Sequence, residues 1–348
     1  MKPGKIAIEE HVAAPAVIER LGLEKPTAEF DGQRGGYFDG RRAAMRRYLL
    51  DIHGQMLADM DAAGIEMSVL SLTPTPGIQS MLDKQAAIDL TRVANDYFAD
   101  QVAENPQRFQ AFAALPMQDP DAAARELTRC VNELGFRGAS INGFTQVDSV
   151  ENDIYLDDKR NWDFWGTVES LGVPVYLHPR DPMDGGIRCL NGQPWLGNSR
   201  WAFSVETSSH ALRLMSSGLF DKYPKLNIIL GHLGEMLPNV IWRIDHRIQC
   251  MPDRGMPARK PLDEYFRNNF YITTSGSFCT STLMNAIQWV GAERIIFAVD
   301  YPFEKMAEAA AWFDRVEIMS EVDWTKIART NAEKLLKLET LKAKSATA

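Results

Sequence analysis

KIAIEEH, residues 5–11, is a short apolar run that ends on two glutamates and a histidine. Its apolar residues belong to a strand, and its polar end is what a strand shows where it leaves a sheet at a reactive edge. Seven further runs of similar length follow, at 66–72, 110–115, 138–141, 173–177, 226–230, 270–274 and 295–299. Most are rich in β-branched or aromatic residues, and several lack polar alternation, as strands covered on both faces do. Between them lie amphipathic stretches with three- and four-residue apolar spacing. The first carries Met45, Tyr48, Leu49, Ile52, Met56, Leu57 and Met60, stopped by Gly64. Others span 86–103, 120–134, 162–171, 201–219, 238–248, 280–290 and 305–319, and a closing helix spans 323–338. Eight strands each followed by a helix, without a break in composition, predict an α/β fold, a (β/α)8 TIM-type barrel with a C-terminal helix. An open doubly wound sheet is the alternative, but no glycine-rich phosphate loop follows the first strand. Two long loops, 12–42 and 179–200, fall at the C-terminal face of the barrel.

Length and charge set the remaining bounds. The 348 residues are 45% hydrophobic and 24% charged, the balance of a folded globular chain. A single barrel over 1–340 with a flexible tail at 341–348 accounts for them. The net charge of −8, with no long basic run, excludes a nucleic-acid partner. No run of about 20 apolar residues is present to span a membrane, and no signal-peptide core follows the N-terminus, so a cytoplasmic location is expected. Cys130, Cys189, Cys250 and Cys279 show no CxxC spacing and read as isolated thiols.

Of six histidines, three stand at or just past a strand's C-terminal end: His11 after IAIEE, His178 after VPVYL and His232 after NIILG. Asp300 ends IIFAVD in the same way. That edge of a barrel builds catalytic sites. Glu9 and His11 are two apart and share one face of a strand, which turns Glu10 toward the helical layer. Two imidazoles and two carboxylates from three strands suit Zn²⁺ or Mn²⁺, with positions left for water and substrate. A lone histidine at a strand end is more often a satisfied core group; four coincident strand ends favour a metal. His53, His210 and His246 carry no such pattern and default to structural or surface roles. Glu235, three residues past His232, can orient its imidazole, or can cap the helix that begins near Pro238. Arg243 on that helix, alone, is a surface arginine.

The pair Glu9-x-His11, YLHPR around His178, LNIILGHLGE around His232, ITTSG at 272–276 and FAVDYPFE around Asp300 resemble the amidohydrolase superfamily. Within it they resemble the metal-dependent decarboxylases of aminocarboxymuconate semialdehyde and ortho-hydroxybenzoates, nearest the members acting on γ-resorcylate. Stretches 112–144 and 201–235 extend the likeness over nearly the whole chain, least clearly from 14 to 42. The resemblance implies one divalent metal (Zn or Mn, with Mg admissible) on Glu9, His11, His178 and Asp300, and no organic cofactor. It implies His232 as the catalytic histidine held by Glu235, and Arg243 meeting the polar groups of a small aromatic carboxylate substrate. Arg41 or Arg42 would enter a neighbouring subunit's site in a homodimer or homotetramer. The chain departs from hydrolytic members, which begin with His-x-His and carry a lysine on strand four; here strand four ends in SINGF. Two carboxylate ligands neutralise a divalent ion and make bound water less acidic, which disfavours hydrolysis.

The implied reaction is reversible, nonoxidative loss of carbon dioxide, a carboxy-lyase activity, in which the metal chelates the carboxylate and the ortho oxygen. Asp300, paired with His232, would protonate the ring carbon. Trp195, Phe203 and Phe303 are candidates for an aromatic wall, each equally readable as packing. A single-metal hydrolase of a lactone or amide and a non-catalytic metal-binding protein are the rival readings.

Overall fold

The computed structural model describes residues 3–21, 39–73, 77–182, 188–251 and 255–338, with the side chains of 39–44 and of Pro194 left aside. Eight parallel strands carry the architecture: β1 (Lys5–Val12), β2 (Ile65–Leu72), β3 (Phe109–Ala111), β4 (Ala139–Asn142), β7 (Val175–His178), β8 (Ile228–Leu230), β9 (Phe270–Thr273) and β10 (Ile295–Ile296). Continuous ladders run β1-β2-β3 and β10-β9-β8-β7-β4. The two sheets meet at seams held by single parallel bridges, Ala113 with Ala139 and Glu10 with Tyr301. The predicted barrel strands are therefore all present, joined at those seams by bridges in place of full ladders. Helices between successive strands pack outside them, as the right-handed crossover requires.

Tyr176 shows what lies inside. Its hydroxyl donates to Glu9 and stands 3.0 Å from the Thr273 hydroxyl. Its own strand β7 borders only β4 and β8 in the ladder, so the contact with Glu9 crosses the barrel interior. Ile6, Ile8, Val69, Phe112, Ile229, Ile296 and Ala298 pack with Tyr176 in one buried cluster. The outer residues of the same strands (Ala7, Leu70, Ala111, Ile141, Leu177, Leu230, Ile272) join the larger core beneath the helices. Alternation along β1 would then send Glu9 outward with Ala7. A register shift against β2 between Ala7 and Glu10 prevents this. The extra residue of a bulge switches parity, so Ile6 and Ile8 fill the barrel floor while Glu9 and His11 point into its mouth.

Local chemistry accounts for the helices. Asp83 and Asp119 cap Lys84–Glu104 and Pro120–Asn132, accepting from Ala86 N (2.9 Å) and Ala122 N (3.0 Å), each cap contributing about 1 kcal/mol. The predicted single helix across 45–60 is broken instead: Asp51 leaves the helical region at ψ 68°, separating Asp39–Leu50 from a wide turn over Ile52–Met56 and the helix Leu57–Ala63. Gly64 ends the last of these at φ 64°. The expected closing helix over 323–338 runs without interruption from Glu321 to Leu335, passing through a wide turn over Lys326–Thr330. Within the predicted first loop lies the helix Pro15–Arg20. An antiparallel hairpin, β5 (Thr145–Val147) with β6 (Ser149–Ile154), follows β4, and a helix spans Leu262–Asn269. All four cysteines are free. No helix among the described residues is long and apolar enough to cross a membrane. The tail at 341–348 lies outside the described residues.

His210 lies on Ala202–Ser216, fully buried, and its Nε2 accepts from the Leu156 N–H at 2.9 Å. Burial, with Arg213 and Arg180 nearby, pushes its imidazole down to about 3. Unfolding releases it to an ordinary value near 6.5. Its contribution to stability is thus present above pH 6.5 and is lost as pH falls toward 3, at up to about 1.4 kcal/mol per pH unit. Urea unfolding between pH 6.5 and 4 is expected to show a shallower acid loss in His210→Gln than in the wild type. Equal slopes would contradict the assignment.

Candidate active site and metal centre

Five of the residues singled out at strand ends come together in the barrel mouth. Glu9 Oε1 lies 3.7 Å from His178 Nε2 and 4.0 Å from the Nε2 atoms of both His11 and His232. His11 Nε2 lies 3.0 Å from Asp300 Oδ1, and His232 Nε2 lies 3.7 Å from Asp300 Oδ2. Ligand atoms of Glu9, His11 and His178 all fall within 4.8 Å of one another. Donors about 2.1 Å from a shared ion stand roughly 3–4 Å apart, so this spacing fits one small divalent cation.

The hydrogen bonds show which atoms face that space. Glu9 Oε2 is engaged by the hydroxyls of Tyr176 and Thr273, the latter at 3.1 Å. Glu9 Oε1 is buried and takes part in no hydrogen bond. A carboxylate oxygen buried without a donor costs several kcal/mol unless a cation meets it. Burial, and next the neighbouring His11, pushes His178 well below 6.5, leaving the neutral imidazole a metal needs. Asn142, at the end of β4, lies in register with His178.

His232 reaches the site on an unusual backbone. After β8 ends at Leu230, four consecutive residues, His232, Leu233, Gly234 and Glu235, adopt left-handed φ of 52°, 55°, 81° and 57°. Three carry side chains, each at a cost of about 1–2 kcal/mol. Fixed donors hold the turn: Leu233 N to Thr273 O at 2.7 Å, His232 N to Ser275 Oγ at 3.2 Å, and Gly234 N to Gly231 O at 2.8 Å. The turn swings His232 between Glu9 and Asp300 and brings Glu235 back under it. His232 Nδ1 and Glu235 Oε1 are 2.7 Å apart, and Ser204 donates to Glu235 Oε2 at 2.7 Å. Burial opposes charge on His232, but Glu235, Glu9 and Asp300 overcome it and hold the imidazole well above 6.5. Burial also raises Asp300, yet its hydrogen bonds to His11 and His232 outweigh this and keep the carboxyl below the usual range. Both shifts favour the charged forms, an imidazolium beside a carboxylate.

Other residues are placed less centrally. The Phe303 ring, 47% exposed, lies 5.5 Å from His11, at the rim of the cluster. Trp195 is exposed and Phe203 half-buried. Arg243 is exposed on the helix Leu237–Gln249, with no contact to the cluster among those the described residues make. Arg41 and Arg42 belong to Asp39–Leu50, and their side chains lie outside the described residues. The sequence marks ITTSG at 272–276 as a motif but assigns no role to Thr273, Ser275 or Gly276 within it, and none to Tyr176 or Ser204. Strand parity would have found two of them, since Tyr176 is two before His178 and Ser275 two after Thr273.

Gly276 adopts φ 57°, and a Cβ there would stand 2.9 Å from His232 Cδ2 and 3.5 Å from Asp300 Oδ2. Gly276→Ala is expected to displace His232 and lower kcat about 100-fold, with a melting point only a few degrees lower. Wild-type kcat in that variant would mean the imidazole has room to spare.

The amidohydrolase family model matches residues 40–338. The chain is 48% identical to a γ-resorcylate decarboxylase from Rhizobium sp. (strain MTP-10005), covering 97% of this chain and 99% of that one. Among solved structures, a 2,6-dihydroxybenzoate decarboxylase complexed with 2,6-dihydroxybenzoate superposes with TM-score 0.89 at 47% identity, covering 97% and 99% of the two chains. A dihydroxybenzoic acid decarboxylase from Polaromonas sp. JS666, with bound manganese and the inhibitor 2-nitroresorcinol, gives TM-score 0.89 at 47% identity over 97% and 98%. The barrel agrees with this likeness, and the chain belongs to the amidohydrolase family, in its branch of decarboxylases.

Proposed function

We propose that this chain catalyses the reversible, nonoxidative decarboxylation of an ortho-hydroxylated benzoate, with γ-resorcylate as the first substrate to test. The convergence of Glu9, His11, His178 and Asp300 beside the His232–Glu235 pair carries the reading, and the 48% identity to a γ-resorcylate decarboxylase names the substrate class. Those four residues would hold one Mn²⁺ or Zn²⁺ (Mg²⁺ is the third candidate), and no organic cofactor is required. An ion bound there would supply Lewis-acid chemistry toward the oxygen atoms of the substrate.

The chain's own groups supply the proton. Glu235 fixes Nδ1 of His232, leaving Nε2 to hand its proton to Asp300 Oδ2. Asp300 delivers that proton to the ring carbon that bears the carboxylate. The bond from that carbon to the carboxylate then breaks, its electron pair returns to the ring, and carbon dioxide leaves. The ortho oxygen releases electron density into the ring as the carbon is protonated and takes it back as carbon dioxide leaves, so no external oxidant or reductant enters. Phe303 forms part of the wall beside the ring, and Arg243 and an Arg41 or Arg42 from a neighbouring subunit remain proposed substrate contacts in a homodimer or homotetramer. We assign the chain to a single barrel domain over 1–340, in the cytoplasm, with no nucleic-acid or membrane partner.

The test is a screen of hydroxybenzoates with the Mn²⁺-loaded protein. Release of carbon dioxide from 2,6-dihydroxybenzoate, and carboxylation of the product at high bicarbonate, are expected. Production of a new acid from a lactone or amide, without carbon dioxide, would replace this reading with the hydrolytic one.

A further inference from the structure

Glu10 is fully buried between the two proposed ligands Glu9 and His11, and it faces away from them. Its carboxylate reaches the neighbouring strand end instead. Oε1 accepts from Val299 N at 3.0 Å, and Oε2 accepts from Tyr301 N at 3.2 Å. Those are the two backbone amides that flank Asp300.

The seam explains why both amides need a partner. Glu10 and Tyr301 form one of the two isolated parallel bridges that join the two sheets. In a regular parallel ladder at that bridge, the Tyr301 N–H would donate to the Glu9 carbonyl. Asp300 sits at φ 78°, in the left-handed region disfavoured for a residue with a side chain, and its own N–H takes the Glu9 carbonyl at 2.9 Å. The His11 N–H still donates to Tyr301 O at 2.7 Å. The strand end has slipped by one residue, Asp300 is turned into the mouth, and the amides on either side are left to the Glu10 carboxylate.

We propose that Glu10 is a positioning residue for Asp300: by clamping the Val299 and Tyr301 amides it holds Asp300 in the left-handed conformation that aims its carboxylate at His11 and His232. The inference rests on the role given to Asp300 under the proposed function. Two acceptor oxygens are essential to it. A glutamine keeps the shape but offers one acceptor, and its NH2 faces the second amide as donor against donor. An aspartate keeps both acceptors at shorter reach.

Full-length Mn²⁺-loaded Glu10→Gln and Glu10→Asp are compared with the wild type by kcat, KM and retention of Mn²⁺ against a titrated chelator. Glu10→Gln is expected to lose 10- to 100-fold in kcat with KM changed less than threefold, and to release Mn²⁺ at several-fold lower chelator. Glu10→Asp is expected to fall between it and the wild type. The metal titration reads the site without turnover, which a merely stabilising role would leave unmoved. Wild-type kcat and Mn²⁺ retention in Glu10→Gln would overturn the proposal, whatever its melting point. If Glu10→Gln does not fold, wild-type values in Glu10→Asp overturn it and the intermediate values uphold it. A wild type that holds Mn²⁺ yet decarboxylates no hydroxybenzoate would sink the functional reading, while the retention data would still judge the clamp.

Discussion

Asp300→Asn is expected to fold, to melt within a few degrees of the wild type, and to lose turnover by 10³-fold or more. The argument is local. Asp300 stands 3.0 Å from His11 Nε2 and 3.7 Å from His232 Nε2, so its carboxylate touches both the metal cluster and the protonated imidazole. Asparagine preserves the shape and the backbone but cannot carry a proton to the ring carbon. General acid catalysis contributes 10²- to 10⁴-fold, and loss of one anionic ligand adds weaker metal retention. Because the residue lies at the strand end, outside the packed clusters, the fold has little to lose. Carbon dioxide release by the purified variant, with circular dichroism on the same sample, checks both halves. Decarboxylation within tenfold of the wild type would remove Asp300 from the proton path.

His232→Asn is the second large effect, expected to lower kcat by 10²- to 10³-fold while metal content stays at the wild-type level. The imidazole is bonded at Nδ1 by Glu235, and Glu235, Glu9 and Asp300 raise it well above 6.5 against its burial, which suits it to hold a proton for Asp300. Asparagine cannot store that proton. It also relieves strain, since asparagine adopts left-handed φ more readily than histidine does, and the melting point is expected to hold or rise. Elemental analysis distinguishes the roles: a variant that loses its metal with its activity would make His232 a ligand, contrary to the account.

Much of this site could be read from strand ends, because the chemistry obeys a simple rule of position. Glu9, His11, His178 and Asp300 each fall where a parallel strand leaves the barrel, and the two-residue spacing of Glu9 and His11 fixes one face. The bulge in β1 could not be read, since IAIEEH is an apolar triplet followed by a polar one with no alternation to break, and the register shift appears only against β2. Nor could the left-handed turn at His232–Glu235, whose non-glycine residues carry no local preference for it and are held there by Thr273 and Ser275 from another strand. The hairpin Thr145–Ile154 escaped because TQV and SVENDI show no apolar alternation. The helix Leu262–Asn269 escaped through brevity, its apolar Leu262, Tyr265 and Phe266 spanning little more than one turn. Glu10 was rightly turned from the mouth, but its grip on the Asp300 backbone belongs to the slipped seam, which no local pattern announces.

The central claim is that one cation is shared by side chains from strands β1 and β7 and the end of β10. Metal analysis of the purified wild type beside Glu9→Gln, which neutralises the one ligand oxygen buried without a hydrogen bond, tests it most directly. One divalent ion per chain in the wild type, and well under half of that in the variant, is the predicted result. Two ions per chain, or full activity in a wild type stripped of metal, would contradict it.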